Sequence, residues 1–137
     1  MSGLSRRSPV IADVRVHAGL TADGAKWRAA ASARITGDEP VFAGHYPGFP
    51  IFPGVCVLEC VTRGAELTAS EFTAPGPGVL RGIESARFLG AVFPGDELDI
   101  ALEWTGRDGD WVCKATVSVG SRSVGSVRLG YKAGVAA

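Results

Sequence analysis

The chain lacks most of the features that mark a compartment or a charged partner. Its 137 residues carry 14 basic and 14 acidic side chains. With the two signs cancelling, the overall field favours neither nucleic acid nor an anionic membrane. No apolar run approaches the length needed to cross a bilayer. The start, MSGLSRRSPVIADVRV, contains Arg6 and Arg7, but Asp13 and Arg15 interrupt it before a signal-type apolar region develops. Cysteine is scarce and odd in number. Cys56 and Cys60 lie one helical turn apart and Cys113 is remote, a pattern of reduced core thiols and not of a disulfide framework. These absences point to a cytoplasmic protein that spans no membrane. The length suits one domain with a real core and is too short for two. Residues 1–137 therefore read as a single domain, with about 1–8 and 133–137 as flexible tails.

What is present is hydrophobic periodicity of two kinds. Val10 to Ala18 alternates, with Val14, Val16 and Ala18 on one side and Arg15 and His17 on the other, which predicts a half-buried strand. His17 falls on the solvent face as an ordinary surface residue. After the Asp23-Gly24 turn signal, Lys26 to Thr36 alternates again through Trp27, Ala29, Ala31, Ala33 and Ile35. From Gly54 the spacing of Val55, Leu58, Val61 and Ala65 is helical to about Ser70, ahead of the breakers Ala74-Pro75-Gly76-Pro77-Gly78. Four strands follow, about Val79 to Leu89, Leu98 to Thr105, Trp111 to Val119 and Ser123 to Lys132. They are separated by Pro94-Gly95-Asp96, Arg107-Asp108-Gly109 and Gly120-Ser121, which have the residues that tight turns demand. Two strands, a helix and a run of strands make an α+β domain whose antiparallel sheet needs the helix to cover its apolar face.

Residues 41–59, VFAGHYPGFPIFPGVCVLE, concentrate polar groups in an apolar stretch, where burial is costly without a partner. Pro47, Pro50 and Pro53 restrict the backbone at the period of a polyproline II turn and so stiffen the approach to the helix and help place His45. The interleaved Phe49, Ile51 and Phe52 argue for burial and against a ligand for proline-recognition domains. Gly54 opens the helix, where an amide has no partner within the helix and a missing β-carbon lets a carbonyl oxygen approach. The helix dipole adds to the polarisation of that oxygen. The bland role, a glycine easing the turn into the helix, is equally compatible with its position. Glu59, five residues on, is expected to be largely buried, and desolvation would then keep its carboxyl protonated toward neutrality. An imidazole at His45 is suited to remove an α-proton and such a carboxyl to protonate a departing hydroxyl. On spacing alone, a hydrogen-bonded loop histidine and an exposed helix glutamate are the alternative. Cys56 and Cys60 could ligate a metal with His45, but no fourth ligand is apparent, and no metal is expected.

The segment F-A-G-H-Y-P-G-F-P-I-F-P-G-V-C-V-L-E closely resembles the signature of the FabZ-type β-hydroxyacyl-acyl carrier protein dehydratases. Ile83-Glu84-Ser85-Ala86-Arg87-Phe88 and Val92-Phe93-Pro94-Gly95-Asp96-Glu97-Leu98 resemble that family's second block, so the likeness covers about residues 25–132. It implies a hot-dog fold, a long helix wrapped by an antiparallel sheet, paired edge to edge into a homodimer. It implies removal of water from a 3-hydroxyacyl thioester on the phosphopantetheine arm of an acyl carrier protein, with no metal or redox cofactor. His45 and Glu59 then take the catalytic positions, facing each other across the dimer interface. Gly54 would hold the thioester carbonyl, and Tyr46 stands where the family has a phenylalanine beside the acyl tunnel. Glutamate at 59 favours the plain dehydratase over the dehydratase-isomerases, which usually carry aspartate.

Three departures accompany the likeness. The family's N-terminal helix and histidine have no counterpart; only Ser8 to Val16 represents that region. Leu89-Gly90-Ala91 replaces a Lys-Arg-Pro that would help meet an acidic carrier protein, with Arg6, Arg7, Arg81 and Arg122 as candidate substitutes. Arg63 replaces a common glutamine one turn beyond Glu59, where a Glu-to-Arg i, i+4 pair would oppose proton donation. The expectation is that Arg63 turns instead to Glu66 or to substrate, against the plainer helix-face ion pair. The missing first helix tilts the assignment toward a specialised fatty acid or polyketide pathway. A hot-dog thioesterase using Glu59 without His45, and a non-catalytic carrier-binding subunit, are the competing functions.

Overall fold

A computed structural model describes residues 10–40, 42, 51–72 and 76–133. His45, Tyr46 and the first two prolines of the stiff segment lie outside the described residues, as do Arg6, Arg7 and most of both expected tails. The elements are β1 (Arg15–Asp23), β2 (Lys26–Arg34), α1 (Gly54–Ala69), β3 (Val79–Phe88), β4 (Glu97–Arg107), β5 (Asp110–Val119) and β6 (Arg122–Lys132). The strands make one antiparallel sheet in the order β1-β2-β4-β5-β6-β3, and α1 packs on β1, β2 and β4. This is the hot-dog arrangement, one long helix wrapped by the sheet. No helix among the described residues is long and apolar enough to cross a membrane.

Alternation places one face of each central strand under the helix. Leu98, Ile100, Leu102 and Trp104 of β4 are buried in turn, as are Ala29, Ala31 and Ala33 of β2 and Cys113, Ala115 and Val117 of β5. The helix answers with Cys56, Val57, Cys60, Val61, Gly64, Ala65 and Thr68. Small residues set the separation: a β-carbon at Gly64 would lie 3.5 Å from the Ala31 methyl and 3.7 Å from Leu102 Cδ1. At its far end the helix is fixed by a hydrogen bond from Trp104 Nε1 to Thr68 Oγ1, 3.0 Å. Trp104 also stacks edge-on with Phe72, Trp111 and Tyr131. The hairpins turn where the sequence says: Asp108 and Gly109 both have positive φ, 52° and 84°, as a two-residue primed turn requires.

The N-terminal strand begins later than its alternation suggests. Val10, Ala12 and Val14 are buried, but the strand starts at Arg15, and the backbone before it is bonded to side chains. The Ile11 N–H donates to Glu39 Oε1 at 2.9 Å. Arg63 Nη2 and Nη1 donate to the carbonyls of Val10 and Ala12 at 3.0 and 3.1 Å. An extended strap held in this way buries every second residue just as a strand does, so periodicity alone does not separate the two. The two sheet edges also differ. β1 has its Leu20 N–H capped by Glu71 Oε1 at 2.9 Å. β3 is exposed along nearly all its length, with Val79, Ile83 and Phe88 turned to solvent.

Candidate active site

The helix start is built by the last residues of the stiff segment. Phe52 is buried and its N–H bonds the Val92 carbonyl at 2.7 Å, which ties the chain to the loop before β4. Pro53 is the N-cap, extended at φ −67° and ψ 156°, with no side-chain cap. Its carbonyl accepts from the Cys56 and Val57 N–H groups at 2.9 and 3.1 Å. The Gly54 and Val55 amides therefore precede the helix's own pattern and point out of its positive end. Val55 is 71% exposed in the single chain. Gly54 also has a packing reason that the sequence does not reveal. A β-carbon there would lie 2.9 Å from Phe88 Cδ2 and 3.1 Å from Cε2 and Cγ. The glycine thus admits the Phe88 ring as well as leaving its amide accessible.

Glu59 lies one and a half turns into α1. Contrary to the expectation of burial, its side chain is 41% exposed in the single chain, and Oε2 pairs with Arg63 Nε at 3.1 Å. The plainer ion pair is the one formed, and the turn of Arg63 toward Glu66 is not what fixes this guanidinium. The physical reason is the strap: with Nη1 and Nη2 committed to the Ala12 and Val10 carbonyls, the fork is oriented so that Nε faces back along the helix to Glu59. A shallow cavity of about 380 Å³ beside it is lined by Ala12, Asp13, Val14, Arg63, Glu66, Leu67 and Ser70.

The thiols near the helix start are buried and free. Burial pushes the Cys60 thiol up to about 12, and burial raises Cys56, with the Glu39 and Glu59 carboxylates adding to the effect. Both are therefore protonated packing groups at neutral pH. Two candidates for carrier-protein contact are already engaged. Arg81 pairs with Asp110 at 3.1 Å. Arg122 donates to the Ala91 carbonyl at 2.6 Å and pairs with Asp96 at 3.4 Å, so it secures the loop that replaces Lys-Arg-Pro. His17 is exposed, as expected.

Residues 21–123 match the family model of ApeI-like proteins, described as ApeI dehydratase. The chain belongs to the ApeI-like dehydratase family. It is 44% identical over 79 residues to the 3-hydroxyacyl-acyl-carrier-protein dehydratase FabZ of Symbiobacterium thermophilum, covering 56% of this chain and 55% of that one. It is 36% identical over 108 residues to the FabZ of Idiomarina loihiensis, covering 66% and 72% of the two chains. The chain thus spans little more than half the length of the first relative. Among solved structures, the dehydratase heterocomplex ApeI:P from Xenorhabdus doucetiae aligns with a TM-score of 0.58 at 23% identity, covering 74% of this chain and 86% of that chain. That likeness shows the fold. Within this ApeI-like chain, Glu39 is the residue that sequence reasoning missed. It is 2% exposed, with Oε2 unpaired among the described residues. The available signal was an acidic side chain between Asp38 and Pro40, immediately before the apolar run.

Proposed function

We propose that this ApeI-like protein removes water from (3R)-hydroxyacyl thioesters on an acyl carrier protein, giving trans-2-enoyl thioesters. The observation that carries the reading is the family match together with a carboxylate, Glu59, presented half-exposed on the first turns of a helix whose N-terminus has no side-chain cap. In this reading the thioester carbonyl rests at the Gly54 amide, where the helix end stabilises the enolate-like charge. His45 removes the α-proton, the C3–O bond breaks as the C2=C3 bond forms, and the departing oxygen leaves as water with the proton that His45 took up. A carboxylate held by a guanidinium accepts hydrogen bonds, so Glu59 orients the leaving hydroxyl; with Oε2 on Arg63, Oε1 is the oxygen that meets it. Tyr46 lines the acyl path.

The assembly is a homodimer joined through β3. Its exposed edge and apolar side chains, together with the exposed Val55 beside the Gly54–Phe88 contact, fit a second copy that closes the site. The substrate chemistry fits fatty acid or polyketide assembly, in a specialised pathway. Incubating the purified protein with a 3-hydroxyacyl carrier protein and following loss of water by mass spectrometry tests the reaction. Dehydration by the parent and loss of at least about a hundredfold in His45→Ala and Glu59→Gln are expected. Release of free thiol instead would show a thioesterase, and an unchanged carrier mass a binding subunit. A monomer that gains activity only with a second chain would replace the homodimer by a heterocomplex.

A further inference from the structure

We propose that Glu39 is a positioning residue for this site, acting through the 10–14 strap and Arg63 to fix the orientation of Glu59. The inference rests on the reading of Glu59 given above. Four observations connect the groups. Glu39 is 2% exposed and accepts the Ile11 N–H through Oε1 at 2.9 Å. The carbonyls on either side of that amide, Val10 and Ala12, accept from Arg63 Nη2 and Nη1 at 3.0 and 3.1 Å. Arg63 Nε donates to Glu59 Oε2 at 3.1 Å. The flanking residues Val10, Ala12 and Val14 are all buried, so the strap lies against the core, and the Glu39 bond sets the turn of the peptide that carries the carbonyls.

The geometry uses the guanidinium as a fork. An arginine bonded only to Glu59 would rotate about its side chain and carry the carboxylate among several rotamers. Two carbonyls set on opposite sides of one anchored amide hold the plane of the fork, and its Nε–H then selects one Glu59 orientation. Removing the Glu39 acceptor releases the Ile11 amide, hence the carbonyl pair, hence the fork. A glutamine at 39 keeps an oxygen for Ile11 and places its amide nitrogen where Oε2 stands, an oxygen that accepts no hydrogen bond among the described residues. Among the described residues, the charged and titratable groups that interact with Glu59 are Arg63, Cys56 and Cys60 on its own helix; Glu39 acts on the same two thiols, and Asp13 and Glu66 line the cavity beside Arg63.

The test compares the full chain with Glu39→Gln, Glu39→Leu, Arg63→Gln, Arg63→Lys and the double variant Glu39→Leu/Arg63→Gln. Measured are kcat and KM on a 3-hydroxyacyl carrier protein, the melting temperature, and the Arg63 Nε–H signal by NMR in the absence of substrate. Glu39→Leu is expected to lower kcat about tenfold with KM little changed, as misorientation of a reacting group does. Glu39→Gln recovers most of that loss. The double variant falls no further than Arg63→Gln alone, because both act through one chain of contacts. Arg63→Lys, which keeps the charge and loses the fork, behaves like Arg63→Gln, and this arm decides the matter should Glu39→Leu fail to fold. Multiplying effects in the double variant, an Arg63→Lys as fast as the parent, or an Arg63 Nε–H signal indifferent to Glu39→Leu would each overturn the inference. A parent without dehydratase activity overturns the proposed function instead, and the NMR arm still judges the contacts.

Discussion

Replacing Gly54 by alanine separates the two reasons for a glycine at the helix start. The new β-carbon would stand 2.9 Å from Phe88 Cδ2 and 3.1 Å from two further ring carbons, where relaxed carbon pairs sit near 3.5–4.0 Å. Phe88 is 39% exposed, so its ring yields by swinging toward solvent and gives up part of its contact with the helix start. Relieving about 0.5–1 Å of overlap by displacing this half-exposed ring costs ~1–3 kcal/mol. The helix preference of alanine over glycine returns up to ~1 kcal/mol. A net loss of about 1–2 kcal/mol corresponds to a melting temperature lower by roughly 3–8 °C for a domain of this size. Differential scanning calorimetry of Gly54→Ala, Phe88→Leu and the double variant measures it. The double variant should regain most of the loss, because leucine removes the ring carbons that collide. Dehydration by Gly54→Ala should also slow, since the same displacement moves the amide proposed to hold the thioester carbonyl. A Gly54→Ala protein that melts at or above the parent, or a deficit untouched by Phe88→Leu, would refute the packing argument.

Trp104→Phe removes the donor to Thr68 Oγ1 and should cost about 1–2 kcal/mol by urea denaturation; the Thr68 hydroxyl keeps its bonds to the Gly64 and Ala65 carbonyls, which caps the loss. Burial raises Cys60 and Cys113 to about 12, above the ordinary value, so the fold favours the protonated thiols more than the unfolded chain does. Their contribution to stability is complete below pH ~9 and is lost as pH rises toward 12. The urea midpoint should therefore fall over that window, by less in Cys60→Ala, and a midpoint that rises would count against it. Ile83→Asp on the exposed β3 edge should leave the sheet folded, as judged by circular dichroism, and halve the mass seen in sedimentation. An unchanged mass would move the interface elsewhere.

Much of the fold was legible because period and punctuation agreed. The helix start at Gly54 and the four strands after residue 78 fall within two residues of their expected bounds, since glycine and aspartate mark the turns and leucine, isoleucine and valine alternate between them. The N-terminal strap was not legible as such: its alternation reports burial, while the hydrogen bonds that distinguish a strap from a strand come from Glu39 and Arg63, 28 and more than 50 residues away. Glu59 was singled out by its place on the early helix and by the family resemblance, but its exposure and its partner were not legible, because both depend on how the strap orients one guanidinium. Phe88 over Gly54 is likewise a contact between distant elements that no local pattern encodes.

The Glu71 carboxylate on the Leu20 amide has a consequence for higher-order association. A sheet with two equally open borders can be extended head to tail without limit, whereas here one border carries a plug drawn from the end of the protein's own helix, and Gly19 leaves room for it: a β-carbon there would touch Glu71 Oε1 at 2.9 Å. In the β3 pairing proposed above, growth through the opposite border would stop after a single addition, and the plugged border would work against fibre formation.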